Sequence, residues 1–205
     1  MTARVVVLAS GHGSNFQAIV DAVATGALPA RVVALVSDKP DAFALQRARG
    51  AGIEAITLLR LAGEDRAAYD GRLADVVAEH TPDVVVLAGW MRVLTMKFLG
   101  LFPNRVINLH PALPGEFPGT DAIGRALQAA QRLGLRRTGV MVHFVPDEGV
   151  DDGPVIATVE VQILGDDTLE TLAARVHAAE HSLLVDALRS VIAGSSGVSG
   201  AGRGS

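Results

Sequence analysis

Short, continuously apolar runs rich in β-branched residues, separated by longer stretches with helical spacing, constrain this chain more than any other feature. Arg4–Ala9, Ala30–Ser37, Ile53–Thr57, Val84–Ala88 and Val106–His110 read as strands. Their uninterrupted apolar character is what a strand covered on both faces requires. Between them Asn15–Ala24, Asp41–Ala51 and Glu64–His80 repeat their apolar residues with the helical period. This succession predicts an α/β domain with a mostly parallel sheet and right-handed crossovers. Past His110 the pattern loosens into a Pro/Gly-rich loop, Pro111–Gly119, and a helix near Asp121–Leu133. Two further strands follow, Val140–Val145 and Val155–Ile163, joined by an acidic loop, and a helix over Thr168–Ala193 closes the mixed C-terminal half. Residues 1–193 therefore read as one domain, and Gly194–Ser205, mostly Gly and Ser, as a disordered tail.

Composition removes several function classes. With 49% apolar and 20% charged residues in 205, the chain has the profile of a globular domain with a sizeable core. The net charge of −4 and the absence of any basic run longer than Arg136–Arg137 leave no electrostatic footprint for nucleic acid or an anionic membrane. Without cysteine, disulfides, thiol catalysis and zinc–thiolate sites are excluded. Met1–Ser10 is too short to span a bilayer and runs into a glycine turn, not a cleavage site, so a cytoplasmic location is expected.

The segment Gly11-His12-Gly13-Ser14-Asn15 follows the first predicted strand and opens the first helix. A Gly-rich turn there can direct backbone N–H groups at an anion, and the helix N-terminus adds positive partial charge. Ser14 or Asn15 could cap the helix or touch the anion. The loop lacks the lysine and spacing of a P-loop, and Phe16 occupies the place of the third glycine in a dinucleotide fingerprint. Asp38, ending the second strand, could bind a ribose, which keeps a nicotinamide enzyme as an alternative.

Asn108 and His110 alternate along a strand and so project from one face, and Pro111 places them at its C-terminal end, where open parallel sheets bind ligands. An apolar strand has no packing reason for this pair. Asn supplies an amide donor for an oxyanion and His a proton donor or acceptor near neutral pH. The loop Asp147-Glu148-Gly149-Val150-Asp151-Asp152-Gly153-Pro154 crowds carboxylates between two strands, and one of them could orient a histidine. It lacks the ligand order of a calcium loop. Glu180 falls on the apolar stripe of the last helix, with Val176 and Leu183, and Arg66 reads as sharing a face with Tyr69, Leu73 and Val76. Two charges on apolar faces suggest ion pairs or ligand contacts. His12, His80, His143, His177 and His181 have no metal-ligand spacing, no metal is expected, and His143 reads as a structural residue within a strand. The apolar run Trp90-Met91-Arg92-Val93-Leu94 after the fourth strand suits a flat aromatic ligand.

Taken in order, Gly11-His12-Gly13-Ser14-Asn15, Ala88–Leu94, Asn108-Leu109-His110-Pro111 and Val150-Asp151-Asp152-Gly153-Pro154 resemble the motifs of the phosphoribosylglycinamide formyltransferases. These belong to the folate-dependent formyltransferases, whose fold is Rossmann-like. The likeness runs from Arg4 to Ala193. It implies 10-formyltetrahydrofolate as co-substrate and glycinamide ribonucleotide as acceptor, in purine biosynthesis. It further implies Asn108 as oxyanion stabiliser, His110 as acid or hydrogen-bond donor, and Asp151 as the group that orients His110 and assists proton transfer. Gly11, Gly13, Ser14, Asn15, Arg66 and Glu180 would bind the ribonucleotide; Met91, Arg92, Val93 and Leu94 would line the folate pocket. A homodimer is the assembly entertained. Two departures stand out: Pro111-Ala112-Leu113-Pro114-Gly115 replaces the usual Pro-Ser-Leu-Leu-Pro, and Gly149 reads as an insertion in the acidic loop. Methionyl-tRNA formyltransferase and formyltetrahydrofolate hydrolase are the nearest alternatives, each expected to carry a further domain. A nicotinamide- or nucleotide-binding protein is the alternative from another class. The formyltransferase reading requires the anion loop, the Asn108–His110 pair and the Asp151 carboxylate to meet around one cleft.

Overall fold

The computed structural model describes residues 2–198. Strands β1 (Ala3–Leu8), β2 (Ala30–Ser37), β3 (Glu54–Thr57), β4 (Val84–Leu87), β5 (Val106–His110), β6 (Arg137–Phe144) and β7 (Val155–Gln162) form a 7-stranded sheet ordered β3-β2-β1-β4-β5-β6-β7. Pairing is parallel from β3 through β5, and β6 is antiparallel to both β5 and β7. The helices are α1 (Ser14–Ala24), α2 (Phe43–Gly50), α3 (Arg66–Glu79), α4 (Met96–Leu99), α5 (Ala122–Leu133) and α6 (Leu169–Val198). No helix among the described residues is long and apolar enough to cross a membrane.

The alternation along β1 explains the layering. Val5 and Val7 point into one apolar cluster with Phe16 and Ile19 of α1, Leu45 of α2, and Leu172, Val176 and Leu184 of α6. Val6 and Leu8 point into the other, with Tyr69, Leu73 and Val77 of α3 and Phe98 of α4. Both faces of the strand are thus covered, which accounts for its uninterrupted apolar run. Strand order reverses between β1 and β4, and the crevice at such a reversal, outside the strands' carboxyl ends, is where open sheets bind ligands.

Several boundaries differ from the sequence reading for physical reasons. β3 is an edge strand with half-exposed residues, not one covered on both faces. β6 starts at Arg137, before the predicted Val140, because antiparallel pairing with β7 carries its polar N-terminal end. Gly139 within it leaves no room for a Cβ beside Leu113, so the Pro111–Gly119 loop lies directly on the strand. α6 continues through Val198, beyond the Gly194 at which a disordered tail was expected; the rest of that segment, 199–205, lies outside the described residues. On α3 the buried stripe is Tyr69, Asp70, Leu73, Ala74 and Val77. The charge on the apolar face is therefore Asp70, which is fully buried and accepts the Thr95 N–H at 2.6 Å. Arg66 opens the helix on its exposed side.

Candidate active site

The loops leaving β1 and β4 are tied together. The Ser10 N–H donates to the Gly89 carbonyl and the Met91 N–H to Ser10 Oγ, each at 3.1 Å. Beside them opens a cleft of about 360 Å³. It is bounded by Asn15, the Gly89–Leu94 segment, the end of β5, the Gly119–Ala122 turn, the acidic loop, and His177 and Glu180 of α6.

Asn108, His110 and Asp151 meet in this cleft. Val106 of β5 belongs to the α3 side of the sheet, and Asn108 and His110 continue that face beyond the apolar layer. The antiparallel register places His143 directly opposite Asn108. A register shift after Val142 and the left-handed backbone of Asp151 (φ 55°) bring the acidic loop back over the same face. Asp151 Oδ2 lies 3.2 Å from His110 Nδ1 and accepts the Gly119 N–H at 2.8 Å, while Oδ1 accepts from Asn108 Nδ2 at 2.9 Å. The Asn108 amide also donates to His143 Nε2 at 3.1 Å. That nitrogen is an acceptor, because His143 Nδ1 faces the Phe144 carbonyl at 2.8 Å and so carries the ring proton. Two acceptors around Nδ2 fix the orientation of the Asn108 amide.

His110 stands between two acceptors, Asp151 Oδ2 at Nδ1 and the Phe117 carbonyl 3.0 Å from Nε2. A neutral ring satisfies only one of them. It keeps its proton on Nδ1, since a lone pair against a carboxylate costs more than one against a carbonyl already bonded by Arg125. A second proton therefore goes to Nε2. Burial lowers the His110 pKa below its ordinary value, and the Asp151 charge and Phe117 carbonyl only partly offset this. Burial pushes the Asp151 carboxyl up, but polar neighbours that include the Gly119 N–H and His110 outweigh it and hold it low. The result is a permanent carboxylate beside an imidazole whose Nε2 proton is weakly held, a pairing suited to proton donation.

The glycine loop sits next to this cluster. Gly13 is the residue before α1, in the left-handed conformation (φ 74°), and no side chain caps the helix, so the expected cap from Ser14 or Asn15 is absent. A Cβ at Gly13 would fall 2.6 Å from that of Ala44, which explains the glycine. Asn15 instead donates to Glu180 Oε2 at 3.1 Å, and His177 Nδ1 lies 2.8 Å from the same oxygen. Asn15 lines the cleft, whereas Gly11, Gly13 and Ser14 do not. Glu180 is buried, as its place on the apolar stripe requires.

On the opposite wall Met91, Arg92, Val93 and Leu94 all face the cleft. Met91 is exposed while Trp90 and Leu94 are buried, so the run is an anchored strip and not a wholly exposed one. Arg92 Nε donates to Asp38 Oδ2 at 2.7 Å, with the Asp38 side chain 2% exposed. Asp38 is thereby withdrawn from the ribose contact that a nicotinamide enzyme would need. Arg66 does not line the cleft; its guanidinium pairs with Glu148 of the acidic loop at 2.5 Å, and both side chains are about half exposed. Sequence reasoning missed His143 and the Phe117 carbonyl. The available signal for His143 was its alternation with Val140 and Val142, which sends it to the face opposite theirs, but its partnership with Asn108 depends on the strand register.

The model of the formyl transferase family matches residues 3–188. The chain belongs to the formyl transferase family. Among its relatives, phosphoribosylglycinamide formyltransferase of Schizosaccharomyces pombe is 45% identical over 204 residues, covering 94% of this chain and 98% of that protein. The Escherichia coli enzyme of the same name is 43% identical over 180 residues, covering 88% and 82%. The crystal structure of glycinamide ribonucleotide transformylase 1 from Geobacillus kaustophilus has a TM-score of 0.86 at 40% identity, covering 93% of this chain and 99% of that one. The mixed sheet with its antiparallel C-terminal strands is the architecture that this family member shares.

Proposed function

We propose that this chain transfers the formyl group of 10-formyltetrahydrofolate to the amine of glycinamide ribonucleotide, in purine biosynthesis. The observation that carries the proposal is the Asn108–His110–Asp151 cluster at the meeting of an anion loop and an apolar strip. Relatives bearing that enzyme's name along nearly their whole length support it. A cytoplasmic location belongs to the same reading.

In the proposed reaction the acceptor amine attacks the formyl carbon, and the carbonyl oxygen becomes an oxyanion. Asn108 Nδ2 reaches that oxygen by giving up its bond to His143, the longer of its pair. His110 donates from Nε2, exchanging the Phe117 carbonyl for the reacting group, and Asp151 holds the resulting charge balance through Nδ1. The attacking amine loses a proton, N10 of the folate gains one, and cleavage of the carbon–N10 bond releases tetrahydrofolate and the formylated amide. Met91, Arg92, Val93 and Leu94 hold the folate. The backbone of Gly11, Gly13, Ser14 and Asn15 holds the phosphate, and Glu180, with Arg66 once it leaves Glu148, contacts the ribonucleotide.

Incubation with both substrates, followed by detection of the formylated ribonucleotide by mass spectrometry, tests the proposal. Asn108→Ala and His110→Ala are expected to abolish turnover in protein that remains folded by circular dichroism. Near-normal activity in both variants, or release of formate that does not depend on the ribonucleotide, refutes it.

A further inference from the structure

Arg47 forms no salt bridge with any carboxylate among the described residues. It is half-buried on α2 and grips the backbone of the anion loop instead. Its Nε donates to the His12 carbonyl at 3.0 Å and its Nη1 to Gln17 Oε1 at 3.3 Å. The guanidinium lies 4.9 Å from the centre of the Phe43 ring, on which the His12 ring stacks at 5.3 Å. One residue along the loop, the Gly11 carbonyl accepts the Ala44 N–H at 3.1 Å.

These contacts have a geometric consequence. In a trans peptide the N–H points opposite to the preceding C=O. Drawing the Gly11 and His12 carbonyls toward α2 turns the His12 and Gly13 N–H groups the other way. Neither makes a hydrogen bond within the described residues, and nor do the N–H groups of Gly11, Ser14 and Asn15. Successive free N–H groups at a helix N-terminus form an anion cradle, and an unpaired guanidinium behind them deepens its potential.

We propose that Arg47 is a positioning residue for the phosphate of the ribonucleotide: its Nε pins the His12 carbonyl and so holds the loop's N–H groups toward the anion. This deepens the function proposed above and rests on it for the identity of the substrate. Arg47 touches neither the reacting atoms nor the folate strip, so its effect falls on capture of the phosphorylated partner.

The test compares Arg47→Ala and Arg47→Lys with the unmodified chain. The lysine variant keeps a cation and loses the Nε donor, and it guards against an alanine variant that fails to fold. In both, KM for glycinamide ribonucleotide is expected to rise ~10-fold or more, the loss of a charge-assisted contact network. kcat and the KM for the folate stay unchanged. With the dephosphorylated riboside as acceptor, the variants and the unmodified chain perform alike. Calorimetric titration with ribose 5-phosphate, without folate, should show binding by the unmodified chain and weakened binding by both variants. That titration separates the inference from the formyl-transfer reading, which the turnover assay tests. A lysine variant that matches the unmodified chain overturns the proposal. So does an equal loss on the phosphorylated and dephosphorylated acceptors, which would mark a merely structural role.

Discussion

Asp151→Asn removes one charge from the centre of the cluster while keeping the shape of the side chain. The carboxylate lies 3.2 Å from His110 Nδ1, and both side chains are at least nine-tenths buried, so solvent screens the pair poorly. A neighbouring opposite charge in such a setting moves a pKa by roughly 1–3 pH units. At about 1.4 kcal/mol per pH unit, the lost preference for imidazolium is roughly 1.4–4 kcal/mol, or a ~10- to 1000-fold fall in kcat if His110 donates its proton in the rate-limiting step. The direction is definite: burial already lowers the His110 pKa, and the Asp151 charge is the main influence opposing it. In the variant the His110 titration therefore moves to still lower pH. The new amide can accept from only one of the Asn108 and Gly119 donors, which costs about 1–3 kcal/mol of stability. That cost depends on pH with a fixed sign. Because the folded-state pKa of Asp151 is lowered, its stabilisation is present above the ordinary carboxyl value of 3.8 and is lost as pH falls through the folded value. Steady-state kinetics across pH, histidine NMR titration and urea denaturation measure the three effects. A kcat within about threefold of the unmodified chain, in protein whose His110 titration has moved as expected, would refute the assignment of proton donation to this histidine.

Gly13→Ala forces a Cβ to 2.6 Å from that of Ala44 at a φ of 74°. It is expected to destabilise the fold by about 1–3 kcal/mol and to raise KM for the ribonucleotide, read by urea denaturation and kinetics. Arg92→Met leaves Asp38 buried without its partner and should cost about 2–4 kcal/mol, with Asp38→Asn in the same background restoring part of the loss. Glu180→Gln should lower the pKa of His177, which the Glu180 hydrogen bond raises above 6.5. With a raised folded-state pKa, the stabilisation from that pair is complete below 6.5 and fades as pH climbs through the folded value. Histidine NMR and denaturation at several pH values should find this alkaline loss in the unmodified chain and not in the variant.

Residues whose placement is set along a single strand or loop were legible in the sequence; those whose placement depends on register or on packing angle were not. Asn108 and His110 were found because period-2 alternation and a following proline fix both their common face and their place at a strand end. The strand–glycine turn–helix arrangement around Gly11–Asn15 was legible because each of its parts is local. Glu180 followed from a helix with a wide apolar stripe, where an error of one position does not change the face. On α3 the stripe is narrower. Grouping Val76 instead of Val77 with Tyr69 and Leu73 rotates the face by about one residue, or 100°. That rotation selects the exposed Arg66 and hides the buried Asp70. His143 needed more than periodicity, since only the antiparallel pairing of β5 with β6 sets it across from Asn108. The contacts of Arg47 lie one step further out, because its target is a carbonyl, and the sequence does not say which way a peptide plane faces. The same reasoning predicts where relatives can vary. Replacing His12 loses its ring stack on Phe43 but keeps the carbonyl that Arg47 holds, whereas replacing Gly13 strains the loop whatever side chain is introduced.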